Sequence, residues 1–310
     1  MKISVPDTFK ADLLLLITAI IWGSAFVAQR AGMDHMEPFI FNAVRFALGA
    51  LTLLPVIWYR EKKGLVDHFL QNNSTKDLFK AGLITGLLLF LGSSLQQTGI
   101  VYTTAGKAGF ITGLYVVIVP VLGLIWRQRP GSGVWMGAVL AVLGLYYLTI
   151  SNGLRIELGD FLVLLCAFAY ALHVLAIGWL VTRVDCVKLA AAQFVVTSVL
   201  SFAVAVVFEH ISFSALVEGA VPLLYGGVMS AGVAFTLQIV AQRQAPPAHA
   251  AIILSLESVF AVMAGWAILG EILSGREIAG CLLMFSGMLC AQLYSMKRSR
   301  TKVDKKEKDI

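Results

Sequence analysis

Ile252–Gly265 reads IILSLESVFAVMAG, an apolar stretch in which Glu257 is the one charged residue. A carboxylate in such company needs either a partner in a soluble core or a reason to lie inside a membrane. The rest of the chain decides between the two. Charged residues make up 14% of the sequence and apolar residues 58%, whereas ordinary soluble domains carry about 25% charged residues. So little polar surface cannot cover a globule in water. Mean hydropathy is +0.83, and the apolar residues fall into ten blocks, from Leu13–Val27 and Phe46–Tyr59 to Ala250–Leu269 and Ile278–Met296. With their flanks most blocks reach ~20 residues, the length that carries a helix across ~30 Å of hydrocarbon. The expected fold is an all-α integral membrane protein with ten transmembrane helices. A membrane barrel would show short alternating segments instead.

Charge placement sets the orientation. With the N-terminus in the cytoplasm and the helices alternating, the inner loops hold Arg60, Lys62, Lys63, Lys76, Lys80, Arg127, Arg129, Arg183, Lys188 and Arg243. Only Arg30, Lys107, Arg155 and Arg276 fall outside. The excess of inner cations places both termini in the cytoplasm. The basic tail, 297–310, reads as a topology anchor beside anionic lipid, not as a nucleic-acid contact. Cys166, Cys186, Cys281 and Cys290 show neither zinc-ligand nor disulfide spacing; no metal site and no cofactor are expected. The first apolar run fits a cleaved secretory signal poorly and is retained as helix one.

The longest interior break is the polar stretch REKKGLVDHFLQNNSTKD, Arg60–Asp77, between helices two and three. A shorter break, SNGLRIELGD at Ser151–Asp160, falls halfway along the chain and leaves five helices on each side. Sliding the second half by 142 positions aligns Gln96 with Gln238, Ala108 with Ala250, Gly123 with Gly265 and Gly133 with Gly275. These matches point to two copies of one unit, 11–150 and 157–296. Because five is odd, the copies enter the membrane from opposite sides, which places a shared cavity near the midplane between them.

IIWGSAFVAQRAG in helix one, NAVRFALGAL in helix two, LQQTGIVYTTAGKAGFITGLYVVIVPVLG across helices three and four, and LGEILSGREIAGCLLMFSGMLC through helix ten resemble the EamA-type drug/metabolite transporters. The resemblance covers about 11–296. It implies ten helices in two inverted five-helix repeats around a central cavity, a bacterial inner-membrane location, and export of small metabolites or amino acids. One departure stands out. LGEILSG follows helix nine, but the matching position after helix four is Arg129 in WRQRPGSG, so the first copy lacks the acidic residue there.

A charge at the centre of a membrane helix costs at least ~2.5–3.5 kcal/mol, so such groups face the bundle interior or water. Glu257 lies about 13 Å down helix nine at 1.5 Å per residue. It reads either as a proton-coupling or amine-binding carboxylate, or as a permanently paired structural group. Arg45, on a stripe with Asn42, Gly49 and Thr52, is the expected counter-ion. It either binds a substrate carboxylate or snorkels to the outer surface, and its shallow depth favours snorkelling. Lys107 and His249 occupy matching starts of helices four and nine, as entrance cations or as plain interfacial anchors. Trp22, Gln97, Tyr170 and Gln238 are candidate cavity walls, and His173 is a candidate proton relay or a satisfied interior histidine.

The small-residue pairs Gly82/Gly86, Gly109/Gly113 and Gly133/Gly137 predict close helix approach. Secondary active transport of a small polar or zwitterionic substrate accounts for these features, with export following from the resemblance. A facilitative exchanger or importer is the alternative. An intramembrane enzyme is disfavoured by the absence of H-E-x-x-H and G-x-S-x-G, and ATP-driven transport by the absence of a phosphate-binding loop motif.

Overall fold

The computed structural model describes residues 5–64, 75–125, 132–149, 156–287 and 289–290, which form helices joined by short turns and irregular segments, with no strand among them. Arg127, Arg129, Arg155 and the tail 297–310 lie outside the described residues. In chain order the long helices are α1 (Val5–Gly32), α2 (Pro38–Lys62), α3 (Thr75–Ile100), α4 (Ala105–Gly123), α5 (Ser132–Thr149), α6 (Leu158–Leu180), α7 (Cys186–Phe208), α8 (Ala220–Gln242), α9 (Pro247–Leu269) and α10 (275–287). Eight of them are long and apolar enough to cross a membrane, while α5 contributes a shorter apolar stretch, Trp135–Gly144. Trp58 is 62% and Phe208 78% exposed. In water each such side chain would forgo ~1.5–3 kcal/mol of burial, a loss that surrounding lipid removes.

Packing follows small side chains. On α3, a Cβ at Gly82 would meet Ala192 and one at Gly86 would meet Val196, so this edge brings α7 within backbone reach. Gly109 and Gly113 do the same for α4 against Ala261 and Ser258 of α9. The main interfaces form a pattern in which α1 packs on α8 and α9, α2 on α7 and α8, α3 on α6 and α7, and α4 on α6 and α9. The first and second halves of the chain are therefore interleaved. Among the eight apolar spans of the described residues, α4 is the most enclosed, with 72% of its apolar window buried against 28% for α7.

Helix ends are set by local chemistry. Asp185 accepts from Val187 N and Lys188 N at 3.0 Å each at the start of α7, and Arg60 pairs with the same carboxylate at 3.1 Å. Glu209, just past α7, accepts from Phe39 N and Ile40 N at 2.7 Å, closing the first turn of α2. Two helices break in mid-span. α4 divides into Ala105–Thr112 and Tyr115–Gly123, and α9 into Pro247–Leu254 and a second part starting at Glu257. Gly113 supplies the weak point in α4. In α9 the Ser255 hydroxyl donates to Ile252 O at 2.7 Å, competing with the helical ladder. α8 widens over Tyr225–Phe235 into a π-helical coil, a distortion that exposes carbonyls to side chains of neighbouring helices.

Candidate substrate-binding cavity

The breaks in α4 and α9 and the wide coil of α8 surround one internal cavity of about 40 Å³. Its walls come from α1 (Trp22, Phe26, Gln29), α2 (Arg45), α3 (Gln96), α4 (Thr112, Tyr115), α6 (Tyr170, His173, Val174), α8 (Ser230, Phe235, Gln238) and α9 (Glu257). Both halves of the chain contribute. That volume holds a few water molecules and is well below the ~300 Å³ of a small-ligand pocket. Binding a metabolite here requires the helices to separate.

Several wall side chains are hydrogen-bonded within the protein. Trp22 Nε1 donates to Ser230 O at 3.3 Å, a carbonyl in the wide coil of α8, and the indole stands edge-on to Phe235 with centroids 4.5 Å apart. Tyr170 donates its hydroxyl to Gln96 Oε1 at 3.3 Å, and Gln96 Nε2 donates to Thr112 Oγ1 at 3.2 Å. His173 Nε2 meets Gln193 Oε1 at 2.9 Å. Gln238 Nε2 donates to Gln242 Oε1 at 3.0 Å.

Other wall atoms are buried with no well-formed hydrogen bond: Arg45 Nε, Gln29 Oε1 and Gln238 Oε1, while Glu257 Oε1 and the Tyr115 hydroxyl have only each other's side chain close by. Buried polar atoms of this kind are normally satisfied. Gathered around one space, they give the cavity a polar lining. Glu257 lies beside the Tyr115 hydroxyl, and the Arg45 guanidinium beside that of Tyr170. Glu257 stands at the first position of the second part of α9 and Tyr115 at the first position of the second part of α4.

The structure gathers Trp22, Arg45, Tyr170, His173, Gln238 and Glu257 at this cavity, and it departs from the sequence reading at three points. Arg45 does not snorkel. It is 3% exposed, with its guanidinium 4.7 Å from the Phe46 ring centre and 5.6 Å from that of Phe41. The aromatic faces supply the cation with a favourable apolar seat that depth alone did not suggest. Nor do Arg45 and Glu257 pair. They occupy different walls, and among the described residues neither takes part in an ion pair. Gln97 turns away from the cavity and donates to Gln29 O at 3.1 Å, while its neighbour Gln96 lines the wall. Adjacent residues on a helix point about 100° apart, so Gln96 faces Thr112 of α4 and Tyr170 of α6 while Gln97 faces α1.

The proposed entrance residues are already engaged. Lys107 Nζ lies 3.3 Å from Glu277, and His249 Nε2 lies 2.7 Å from Asp12 on α1. Sequence reading also missed Tyr115, although it stands 142 positions before Glu257, the offset that aligns the two halves.

The family model described as the EamA-like transporter family matches residues 9–150 and again residues 157–292. The chain belongs to this family and is a multi-pass membrane transporter. Among similar proteins, one from Archaeoglobus fulgidus described as an uncharacterized transporter is 34% identical, covering 91% of this chain and 86% of its own length. The uncharacterized transporter YoaV of Bacillus subtilis is 23% identical, covering 90% and 95% respectively. A solved structure superposes with a TM-score of 0.70 at 16% identity, over 93% of this chain and 98% of that one. At that identity it speaks for the fold alone.

Proposed function

We propose that the protein is a secondary active transporter that exports a small polar metabolite or amino acid across a bacterial inner membrane by alternating access. In this reading ten helices form two inverted five-helix repeats, 11–150 and 157–296, with both termini and the tail 297–310 in the cytoplasm. Two features support the repeat. α4 and α9 break at positions 142 residues apart, and the interfaces pair off: α3 on α6 answers α1 on α8, α3 on α7 answers α2 on α8, and α4 on α6 answers α1 on α9. The α2–α7 and α4–α9 interfaces then sit on the axis relating the halves.

The observation that carries the function is the cavity, which is walled from both halves and holds a cation and a carboxylate that do not neutralise each other. Arg45 and Tyr170 suit a substrate carboxylate. Glu257 and Tyr115 suit an ammonium group or a proton in transit, and His173 is the next titratable group on the wall. Trp22 and Gln238 complete the binding surface. Lys107 and His249 stand at opposite mouths, where their acidic partners make them anchors more than attractors.

Counterflow in proteoliposomes against a panel of amino acids, purines and sugars tests the proposal, with saturable exchange of at least one class expected. Exchange indifferent to an imposed pH gradient would leave facilitative uniport or exchange as the mechanism. Absence of counterflow together with chemical turnover of added lipid or peptide would point to an intramembrane enzyme.

A further inference from the structure

α4 and α9 lie against each other from the cavity to one surface, which is the outer surface under the proposed topology. Nearest the cavity, Gly113 packs on Ser258, whose hydroxyl donates to Gly109 O at 2.9 Å. Next, Gly109 packs on Ala261, and then Gly106 on Val262, where an added Cβ would lie 3.2 Å from Cγ2. The series ends in a carboxylate. Glu271 Oε1 accepts from Ala105 N at 2.8 Å, and Oε2 accepts from Gly106 N at 3.0 Å. These first amides of α4 have no carbonyl partner within their own helix, and a negative charge there also opposes the positive helix end.

The chain is shaped to deliver this side chain. Gly270 takes φ +67, which reverses the chain after α9, and Glu271 N–H donates back to Gly265 O at 3.2 Å. Gly265 leaves open the space that Oε2 fills, since a Cβ there would lie 2.5 Å from that oxygen.

In sequence, the other end of the same helix pair does not repeat this contact. At the 142-residue offset, Glu271 corresponds to Arg129, which has no acceptor to offer. Ala105, one of the two donors, corresponds to Pro247, which has no N–H. The inner start of α9 is instead tied to α1 through His249 and Asp12.

We propose that Glu271 is a one-sided latch, a positioning residue that holds the outer end of the α4–α9 pair closed over the cavity. Opening to the outside breaks its two hydrogen bonds, and opening to the cytoplasm leaves them intact. This inference rests on the alternating-access reading and the proposed topology.

Cys166 offers a native reporter. It is fully buried, with Sγ 4.0 Å from Oγ1 of the cavity-wall residue Thr112. With Cys186, Cys281 and Cys290 replaced by serine, a membrane-impermeant maleimide is applied to vesicles of each orientation. Glu271→Ala is expected to raise labelling of Cys166 from the outer face by about tenfold, the effect of losing charge-assisted hydrogen bonds, with no rise from the inner face. Glu271→Gln, which keeps one acceptor, should fall between wild type and Glu271→Ala. Gly265→Ala should act in the same direction by displacing Oε2, and it carries the test if Glu271→Ala does not fold. Unchanged labelling from outside, or an equal rise from both faces, overturns the latch. Counterflow measured on the same preparations separates the two claims. Wild-type protein that exchanges no substrate counts against transport, whereas wild-type-like labelling in all three variants counts against the latch whatever the transport rates are.

Discussion

In α4 the helical ladder slips where Leu114 N–H turns to Ile111 O at 3.2 Å, and Val116 and Val117 N–H then turn to Gly113 and Leu114 O. In α9 the corresponding bonds run from Leu256 to Ile253 at 3.1 Å, from Ser258 to Ser255 and from Val259 to Leu256. Each bond in one helix has its mate 142 residues away in the other. The residue that follows the break is a phenol in α4 and a carboxylate in α9. The backbone device is thus the same in both helices while the chemistry it presents differs. A break next to a cavity places whatever side chain follows it at the centre of the molecule. The side chain then determines whether that place can carry charge.

The comparison yields predictions of decreasing size. Gly109→Leu forces a branched side chain into Ala261 where the two helices meet, beside the hydrogen bond from the Ser258 hydroxyl to Gly109 O. The expected result is loss of folded protein, seen as the absence of a monodisperse peak in detergent; a well-folded variant would show that the crossing does not depend on glycine. Glu257→Gln keeps the shape and removes the titrating group. It should abolish the pH dependence of counterflow while the protein stays folded, and pH dependence that persisted in this variant would move coupling elsewhere.

Arg45→Met is expected to weaken exchange of carboxylate-bearing substrates by about tenfold to a hundredfold, the range for a charge-assisted hydrogen bond. Substrates without a carboxylate should lose much less, and an equal loss for both would mean that Arg45 supports the fold and not the ligand. Tyr115→Phe tests the other side of the comparison. Removing one neutral hydroxyl should lower apparent affinity by about threefold to tenfold and leave the pH dependence in place. If Tyr115→Phe and Glu257→Gln had the same effect on the pH profile, the two breaks would form one proton site and not two roles. Smallest is His249→Gln at the start of α9, where a partly exposed pair with Asp12 contributes ~1 kcal/mol or less. Counterflow should be nearly unchanged, with only a small drop in thermal stability.

Much of this was legible in the chain. The low charge content and the length of the apolar runs both act through transfer from water to lipid, which sums over local residues. Glu257 stood out for the same reason, because a lone carboxylate in hydrocarbon is costly wherever its neighbours are. The glycine pairs on α3 and α4 were readable as close contacts because a missing Cβ is visible in the sequence. The choice between Gln96 and Gln97 was not readable. Both are polar, both are at the same depth, and only the helices packed around α3 distinguish them, α4 and α6 on the side of Gln96 and α1 on the side of Gln97. Arg45 looked shallow enough to reach the surface because depth follows from counting residues, whereas the Phe41 and Phe46 rings that hold it inward depend on side-chain direction.

By itself the sequence determined the solvent of this protein, its helical spans and the costly groups that had to be hidden from lipid. The tertiary structure alone decided which of those groups share a space: that Arg45 and Glu257 line one cavity without pairing, that Tyr115 joins them, and that Glu271 reaches across to α4. The first set follows from free energies that each segment carries on its own. The second depends on the directions of side chains and on contacts between residues more than a hundred positions apart, which only the packed bundle brings together.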